Sequence, residues 1–311
     1  MREVKAGNDL SVGSSEVIQK RLGRSSERIP AIGLGTWQLR GNEAESALRA
    51  GISAGAKFID TAEIYGTEGL VGRAIRPLIN NGEKVFVATK VWPTHFRYDD
   101  VLKACDRSLS KLGVRTIDLY QLHWPNPALP ISDTLKAMER LVDEGKVRYI
   151  GVSNFSVKQL DEARSCLSKY DVVSDQVEYS PFNREADIEL LHYLEKEDIT
   201  LIAYSPLGHG KLFKRFGSLM QDVAEIGKKY DKTPAQVLLN WLISSPQVIA
   251  IPKASSVRHA VEDAQAGSFV LGQGDLTKIS SILSNFGREK SMSRKLLRSA
   301  LSIYVRFASY L

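Results

Sequence analysis

Residues 85–122 read VFVATKVWPTHFRYDDVLKACDRSLSKLGVRTIDLYQL. Val85–Lys90 and Ile117–Leu122 are short apolar runs rich in β-branched and aromatic residues, the composition of buried strands. Between them, Asp99–Leu112 sets Val101, Leu102, Cys105 and Leu109 on one face at helical spacing. A strand, a helix and a second strand in that order form a parallel crossover unit, because parallel neighbours need a connection of about a dozen residues or more.

The same rhythm runs outward in both directions. Upstream lie Ile32–Leu34 and Lys57–Asp60; downstream lie Tyr149–Val152, Val172–Glu178, Thr200–Tyr204 and Val248–Pro252. With the two runs above, that makes eight strand candidates. Helical patterns fill the gaps. Glu43–Ala54 aligns Ala44, Ala47, Leu48 and Ile52; Ser132–Glu144 carries Leu135, Met138 and Leu141 and opens with Ser132 as N-cap. Thr233 and Pro234 read as N-cap and first helical residue ahead of Val237, Leu238 and Trp241.

Eight such units without a break in composition predict a closed (β/α)8 TIM barrel, an α/β fold. The rival, an open doubly wound sheet, is weakened because no G-x-G-x-x-G follows the first strand. Ahead of the first unit, Val17–Leu22 and Arg28–Ile32 flank Gly23-Arg24-Ser25-Ser26-Glu27, which reads as an N-terminal β-hairpin plugging the barrel bottom. The expectation is a single barrel domain over 1–311, poorly ordered over 1–14 and ending in extra C-terminal helices.

Charge narrows the function. The 311-residue chain has a formal net charge of +6. Residues 1–28 carry six Lys/Arg and four Asp/Glu, residues 285–311 carry six and one, and residues 29–284 carry 30 and 31. The basicity is therefore terminal, and the body lacks the basic excess expected of a nucleic-acid-binding domain. Two cysteines, Cys105 and Cys166, cannot form a disulfide framework. The N-terminus has no apolar stretch of the secretory kind, and no run reaches the roughly 20 apolar residues that span a bilayer. A cytoplasmic location is expected.

In a parallel barrel the reactive groups sit at the C-terminal strand ends. The second, third and fourth runs end in Asp60, Lys90 and Gln121-Leu122-His123, and Tyr65 follows Asp60 by five residues. One rim thus gathers an acid, a phenol, an amine and an imidazole from three consecutive strands. Each alone is as well explained by a solvated or structural role; four at matching strand ends point to chemistry.

The residues that carry these groups resemble the aldo-keto reductase family. The similar segments are Gly33-Leu34-Gly35-Thr36-Trp37, Asp60-Thr61-Ala62-Glu63-Ile64-Tyr65-Gly66, Thr89-Lys90-Val91-Trp92 and Leu119-Tyr120-Gln121-Leu122-His123-Trp124-Pro125. Gly151-Val152-Ser153-Asn154-Phe155, Ala203-Tyr204-Ser205-Pro206-Leu207-Gly208 and Ile251-Pro252-Lys253 follow in order. The resemblance implies a tetrad of Asp60, Tyr65, Lys90 and His123 that reduces aldehyde or ketone carbonyls with hydride from NADPH, Tyr65 acting as general acid. A free phenol has a pKa of about 10, and a nearby ammonium lowers it. Lys90 is expected to do this, with Asp60 keeping Lys90 charged and His123 orienting the carbonyl.

The resemblance further implies cofactor contacts. Ser153, Asn154 and Gln176 would hold the nicotinamide carboxamide, and Tyr204 would stack on the ring. Ser205 and Leu207 would meet the pyrophosphate, and Thr36, Trp37 and Asp60 would line the same groove. Lys253, Ser255 and Arg258 would serve the 2′-phosphate, with Glu262 and Asp263 near the adenine. Here the chain departs from the family pattern: His259 stands where Arg is usual and Asp263 where Asn is usual, so NADH use stays open beside NADPH. Trp37, Trp92, His123 and Trp124 are the implied substrate contacts, giving apolar area around a carbonyl. No metal is implied.

Two segments stay open. His209–Met220 carries Lys211, Lys214 and Arg215, suited either to phosphates or to solvent. Residues 290–311 lack acids and align Leu297, Leu301, Tyr304, Ala308 and Leu311, a basic amphipathic pattern suited to the barrel rim, an oligomer contact or a membrane surface. Beside carbonyl reduction, two further functions remain: a cofactor-binding regulatory subunit, and a sugar or alcohol dehydrogenase running oxidatively.

Overall fold

In the computed structural model, the structure describes residues 16–208 and 217–284. Residues 1–14, 290–311 and most of the His209–Met220 loop, singled out by sequence, lie outside these. Two strands, β1 (Gln19–Arg21) and β2 (Arg28–Pro30), pair antiparallel, with Lys20 opposite Ile29. Eight more form a parallel sheet in chain order: β3 (Leu34–Gly35), β4 (Phe58–Asp60), β5 (Phe86–Val91), β6 (Ile117–Leu122), β7 (Val147–Ser153), β8 (Val172–Glu178), β9 (Thr200–Tyr204) and β10 (Val248–Ile251). The sheet closes because Gly33 N donates to Ala250 O, Ala250 N to Ala31 O and Gly35 N to Pro252 O. Helices cross between successive strands, so the architecture is the (β/α)8 barrel.

Strand alternation sorts the side chains into two cores. Phe58, Phe86, Ala88, Leu119, Val173, Ile202 and Ile249 point inward and fill the barrel, with Phe58 and Phe86 edge to face at 5.5 Å. Ile59, Val87, Val91 and Tyr120 point outward beneath the helices. Each large side chain removed from water contributes about 1.5–3 kcal/mol, which is why both faces of these strands read as continuous apolar runs.

The hairpin is the bottom plug. Leu22 and Ile29 join the inner cluster, both nearly sealed from solvent. Gly23 turns there at φ +50°, and a Cβ would stand 2.5 Å from Val173 O, so glycine is required on two counts. Lys20 locks the plug: its ammonium donates at 2.5 Å to each of Ile243 O, Ser245 O and Val248 O.

The helix boundaries follow local chemistry. Thr233 caps Pro234–Ile243 through a reciprocal box with Gln236. The helix Tyr98–Leu112 ends on Gly113 at φ +67°. One expectation fails: Ser132 is not an N-cap. The helix runs Ile131–Asp143, and the capping position is Pro130, whose extended backbone (φ −59°, ψ 125°) sets the entry without a side-chain acceptor. Past the last strand come helices Val257–Gln265 and Gln273–Ser284. Among the described residues no helix is long and apolar enough to cross a membrane.

Candidate active site

Alternation places Asp60, Lys90 and Gln121 on the inner face at the C-terminal mouth, since Asp60 follows inward Phe58 and Lys90 follows inward Phe86 and Ala88. Lys90 pairs across the sheet with Gln121. Both ionic side chains are buried. Lys90 Nζ donates to Asp60 Oδ2 at 2.6 Å and to Thr61 O at 2.8 Å. Asp60 Oδ1 accepts from Gln176 Nε2 at 2.7 Å and Gln121 Nε2 at 3.4 Å. The carboxylate is thus met from β5, β6 and β8.

Tyr65 ends a short 3-10 turn, Glu63–Tyr65, that follows β4. Its ring lies 5.0 Å from Lys90 Nζ, and its hydroxyl is 3.3 Å from His123 Nε2. The His123 ring meets Tyr65 edge-on at 5.3 Å and Trp92 edge-on at 5.1 Å. The four groups read from the strand ends therefore converge.

Their electrostatics differ from the sequence expectation in one respect. The sequence predicts that Lys90 draws the Tyr65 phenol down. Burial instead pushes it well above the usual value, with the Asp60 charge and Tyr204 adding to the rise. Tyr65 is held protonated. Burial, then the Lys90 ammonium, pushes His123 well below the usual imidazole range, so it is neutral. Burial also lowers Lys90, and Asp60 opposes that fall.

The carboxamide set forms its own network. Ser153 Oγ donates to Gln176 O; Asn154 Nδ2 donates to Ser153 Oγ and His123 O; Asn154 Oδ1 accepts from Tyr204 OH at 3.1 Å. Asn154 and Ser205 adopt positive φ, 65° and 49°, uncommon for non-glycine residues and concentrated at functional sites. Ser205 and Leu207 follow β9 directly and are half-buried. Lys253, Ser255 and Arg258 are exposed just past β10, around the start of Val257–Gln265. Lys253 Nζ donates to Ser255 Oγ, and an Arg258 nitrogen lies 2.9 Å from His259 Nε2. Among the described residues neither cation has a carboxylate partner, a donor set that fits a phosphate.

Three of the expected cofactor residues also make hydrogen bonds within the chain. Thr36 is buried, its hydroxyl donating to Asp60 O and meeting Thr67. Glu262 accepts from Thr233 Oγ1 at 2.6 Å, its carboxylate turned toward the neighbouring helix cap. Gln176 Nε2 donates to Asp60 Oδ1. Asp263 is buried, and burial with the adjacent Glu262 pushes its carboxyl up to about 7. Trp37 stands 46% exposed at the mouth; Trp92 and Trp124 are half-buried. Sequence reasoning missed Glu63. Its Oε1 accepts from Trp92 N at 2.5 Å and pairs with His95 Nδ1 at 3.0 Å. An acid inside the motif, two residues before Tyr65, was the available signal.

The model of the Aldo/keto reductase family matches residues 31–284. The 9,11-endoperoxide prostaglandin H2 reductase of Trypanosoma cruzi is 38% identical over 261 residues, covering 83% of this chain and 89% of its own length. The methylglyoxal reductase of Escherichia coli is 36% identical, covering 81% and 90%. A crystal structure of an aldo-keto reductase from Klebsiella pneumoniae in complex with NADPH superposes with TM-score 0.78 at 34% identity, covering 89% of this chain and 98% of that one.

Proposed function

The chain belongs to the aldo/keto reductase family, and on that premise we propose how its own residues carry out NADPH-dependent reduction of aldehyde and ketone carbonyls. The observation that carries the reading is the Tyr65–His123–Lys90–Asp60 cluster at the barrel mouth.

NADPH, when bound, supplies the hydride that the carbonyl carbon accepts. Tyr65 holds the proton the carbonyl oxygen needs as it gains alkoxide character. Its raised pKa keeps that proton in place until the oxygen becomes the stronger base. Neutral His123 orients the carbonyl oxygen next to the phenol without competing as an acid. Lys90, held by Asp60, places a fixed positive charge 5.0 Å from the Tyr65 ring, where it favours the phenolate left after transfer. Ser153, Asn154, Gln176 and Tyr204 hold the nicotinamide end, Ser205 and Leu207 the pyrophosphate, and Lys253, Ser255 and Arg258 the 2′-phosphate. Trp37, Trp92 and Trp124 wall the carbonyl site. A cytoplasmic setting belongs to the same proposal, supported by the free thiols of Cys105 and Cys166.

The test is Tyr65→Phe with a panel of aldehydes. Turnover falls by about 10² to 10⁴, the range of general acid catalysis, while NADPH affinity holds. Unchanged turnover refutes the role of Tyr65. Tight NADPH binding by the wild type with no carbonyl turned over refutes the reductase reading and favours a cofactor-binding subunit.

A further inference from the structure

We infer that Glu63 is a positioning residue: it cross-ties the loops after β4 and β5 so that Trp92, His123 and Tyr65 keep their mutual geometry. The inference rests on the reductase reading for the meaning of those three groups.

The tie is specific. Glu63 lies on the turn that presents Tyr65. Its Oε1 receives the Trp92 backbone N–H at 2.5 Å and faces His95 Nδ1 at 3.0 Å, so it ties both ends of the next short turn, Pro93–His95, from the neighbouring loop. Oε2 lies 3.7 Å from the Arg107 guanidinium, and the side chain is 9% exposed. A carboxylate accepting backbone N–H is a strong, directional contact. The circuit then closes through rings: Trp92 packs edge-on against His123, and His123 against Tyr65, two residues along from Glu63. The third loop is joined to the same turn, since Asn126 Nδ2 donates to Pro93 O at 3.0 Å. Glu63 touches no reacting atom. It fixes the separation between the turn carrying the phenol and the wall that bounds the carbonyl, the kind of placement in which a shift of about 1 Å costs large factors in rate.

Glu63→Ala and Glu63→Gln separate this from a purely structural role. The glutamine keeps a carbonyl oxygen able to accept from Trp92 N and His95, so it retains the tie; alanine loses it. Glu63→Ala is expected to lower kcat/KM for carbonyls about tenfold or more, the loss expressed chiefly in kcat, with NADPH affinity held. Glu63→Gln restores most of that loss. Asn126→Ala, acting on the same turn from the other side, is expected to lower kcat in the same way. A readout independent of turnover comes from 5-fluorotryptophan labelling, with the Trp92 resonance assigned by Trp92→Phe. That resonance shifts or broadens in Glu63→Ala and stays in place in Glu63→Gln. An unmoved Trp92 resonance in Glu63→Ala, or a Glu63→Gln protein as impaired as Glu63→Ala, overturns the proposal. If the resonance moves as expected while the wild type reduces no carbonyl, the tie stands and the reductase reading is what fails.

Discussion

Lys90 donates to Asp60 Oδ2 across 2.6 Å where neither side chain meets solvent. The ion pair is embedded further, because Asp60 Oδ1 accepts from Gln176 and Gln121. Such a pair is costly to form and costlier to break, since removing one partner strands a buried charge. Asp60→Asn is therefore expected to lower stability near neutral pH by about 3–5 kcal/mol, read from urea midpoints. The pH dependence follows from the Lys90 shift. Burial lowers the folded-state pKa below the unfolded value, and Asp60 opposes this. With Asp60 neutralised the folded pKa falls further, so the variant is least stable where the lysine must be charged. Its deficit shrinks as pH rises toward the usual lysine range. A deficit independent of pH rules out the charge explanation.

Lys20 anchors the other end of the barrel. Its ammonium serves three main-chain carbonyls, Ile243 O, Ser245 O and Val248 O, joining the hairpin to β10 and the helix before it. Lys20→Met fits the stem but removes a donor from largely buried carbonyls; Ser245 O keeps the Val248 N–H, and each carbonyl left without protein or water costs about 1–3 kcal/mol. The expected result is a loss of about 2–4 kcal/mol with kcat and KM unchanged, because the plug lies opposite the mouth. Thermal unfolding and steady-state kinetics on one preparation decide it. Impaired kinetics in folded protein contradicts a purely structural anchor.

These two lysines show what the sequence discloses and what it hides. Lys90 ends an apolar run, and period-two alternation puts it inward beside Asp60, so both position and partner are readable. The bounds of β6, β8 and β9 match their apolar runs for the same reason. Lys20 has backbone acceptors more than 220 residues away, and backbone carbonyls carry no residue code. Gln176 meets Asp60 across 116 positions, a contact that only barrel closure creates. Glu63 sits inside a readable motif, yet its role depends on the main chain of Trp92 in another loop. The convergence of Asp60, Tyr65, Lys90 and His123 is legible because each terminates or closely follows a strand. The ties between loops are not, because loop geometry is set by packing. Tyr65 marks a further limit: the direction of its pKa shift turns on burial, which charge proximity alone does not reveal.

The proposed 2′-phosphate contacts at Lys253, Ser255 and Arg258 predict a graded cofactor preference. Lys253 and Arg258 are exposed cations near the start of Val257–Gln265, and His259 occupies the position where the family pattern carries Arg. An arginine offers a charged bidentate fork that an imidazole lacks. His259→Arg is expected to strengthen NADPH binding about tenfold, roughly one bidentate contact, with little effect on NADH. Lys253→Met is expected to weaken NADPH by a similar factor and spare NADH. Fluorescence titration of each variant with both cofactors tests this. Equal changes for NADPH and NADH would place the 2′-phosphate elsewhere.

Asp263 gives the clearest pH prediction. The residue is 7% exposed, and its carboxyl is pushed up to about 7, first by burial and then by the adjacent Glu262 charge. In the unfolded chain an aspartate titrates near 3.9. The folded value is raised, so the native state prefers the protonated acid. That preference stabilises fully below about pH 4 and is lost as pH rises through about 7, where the fold must hold a buried carboxylate. Asp263→Asn keeps the shape and removes the ionisation. In the cofactor-free protein it is expected to raise stability at pH 8 by an amount on the order of 1–3 kcal/mol, with the gain shrinking through pH 6 and vanishing near pH 4. Thermal melts of both proteins across pH 4–8 read the difference directly. A gain that is flat with pH would assign the effect to hydrogen bonding by the amide, and a loss at pH 8 would mean that the carboxylate is the form the fold requires.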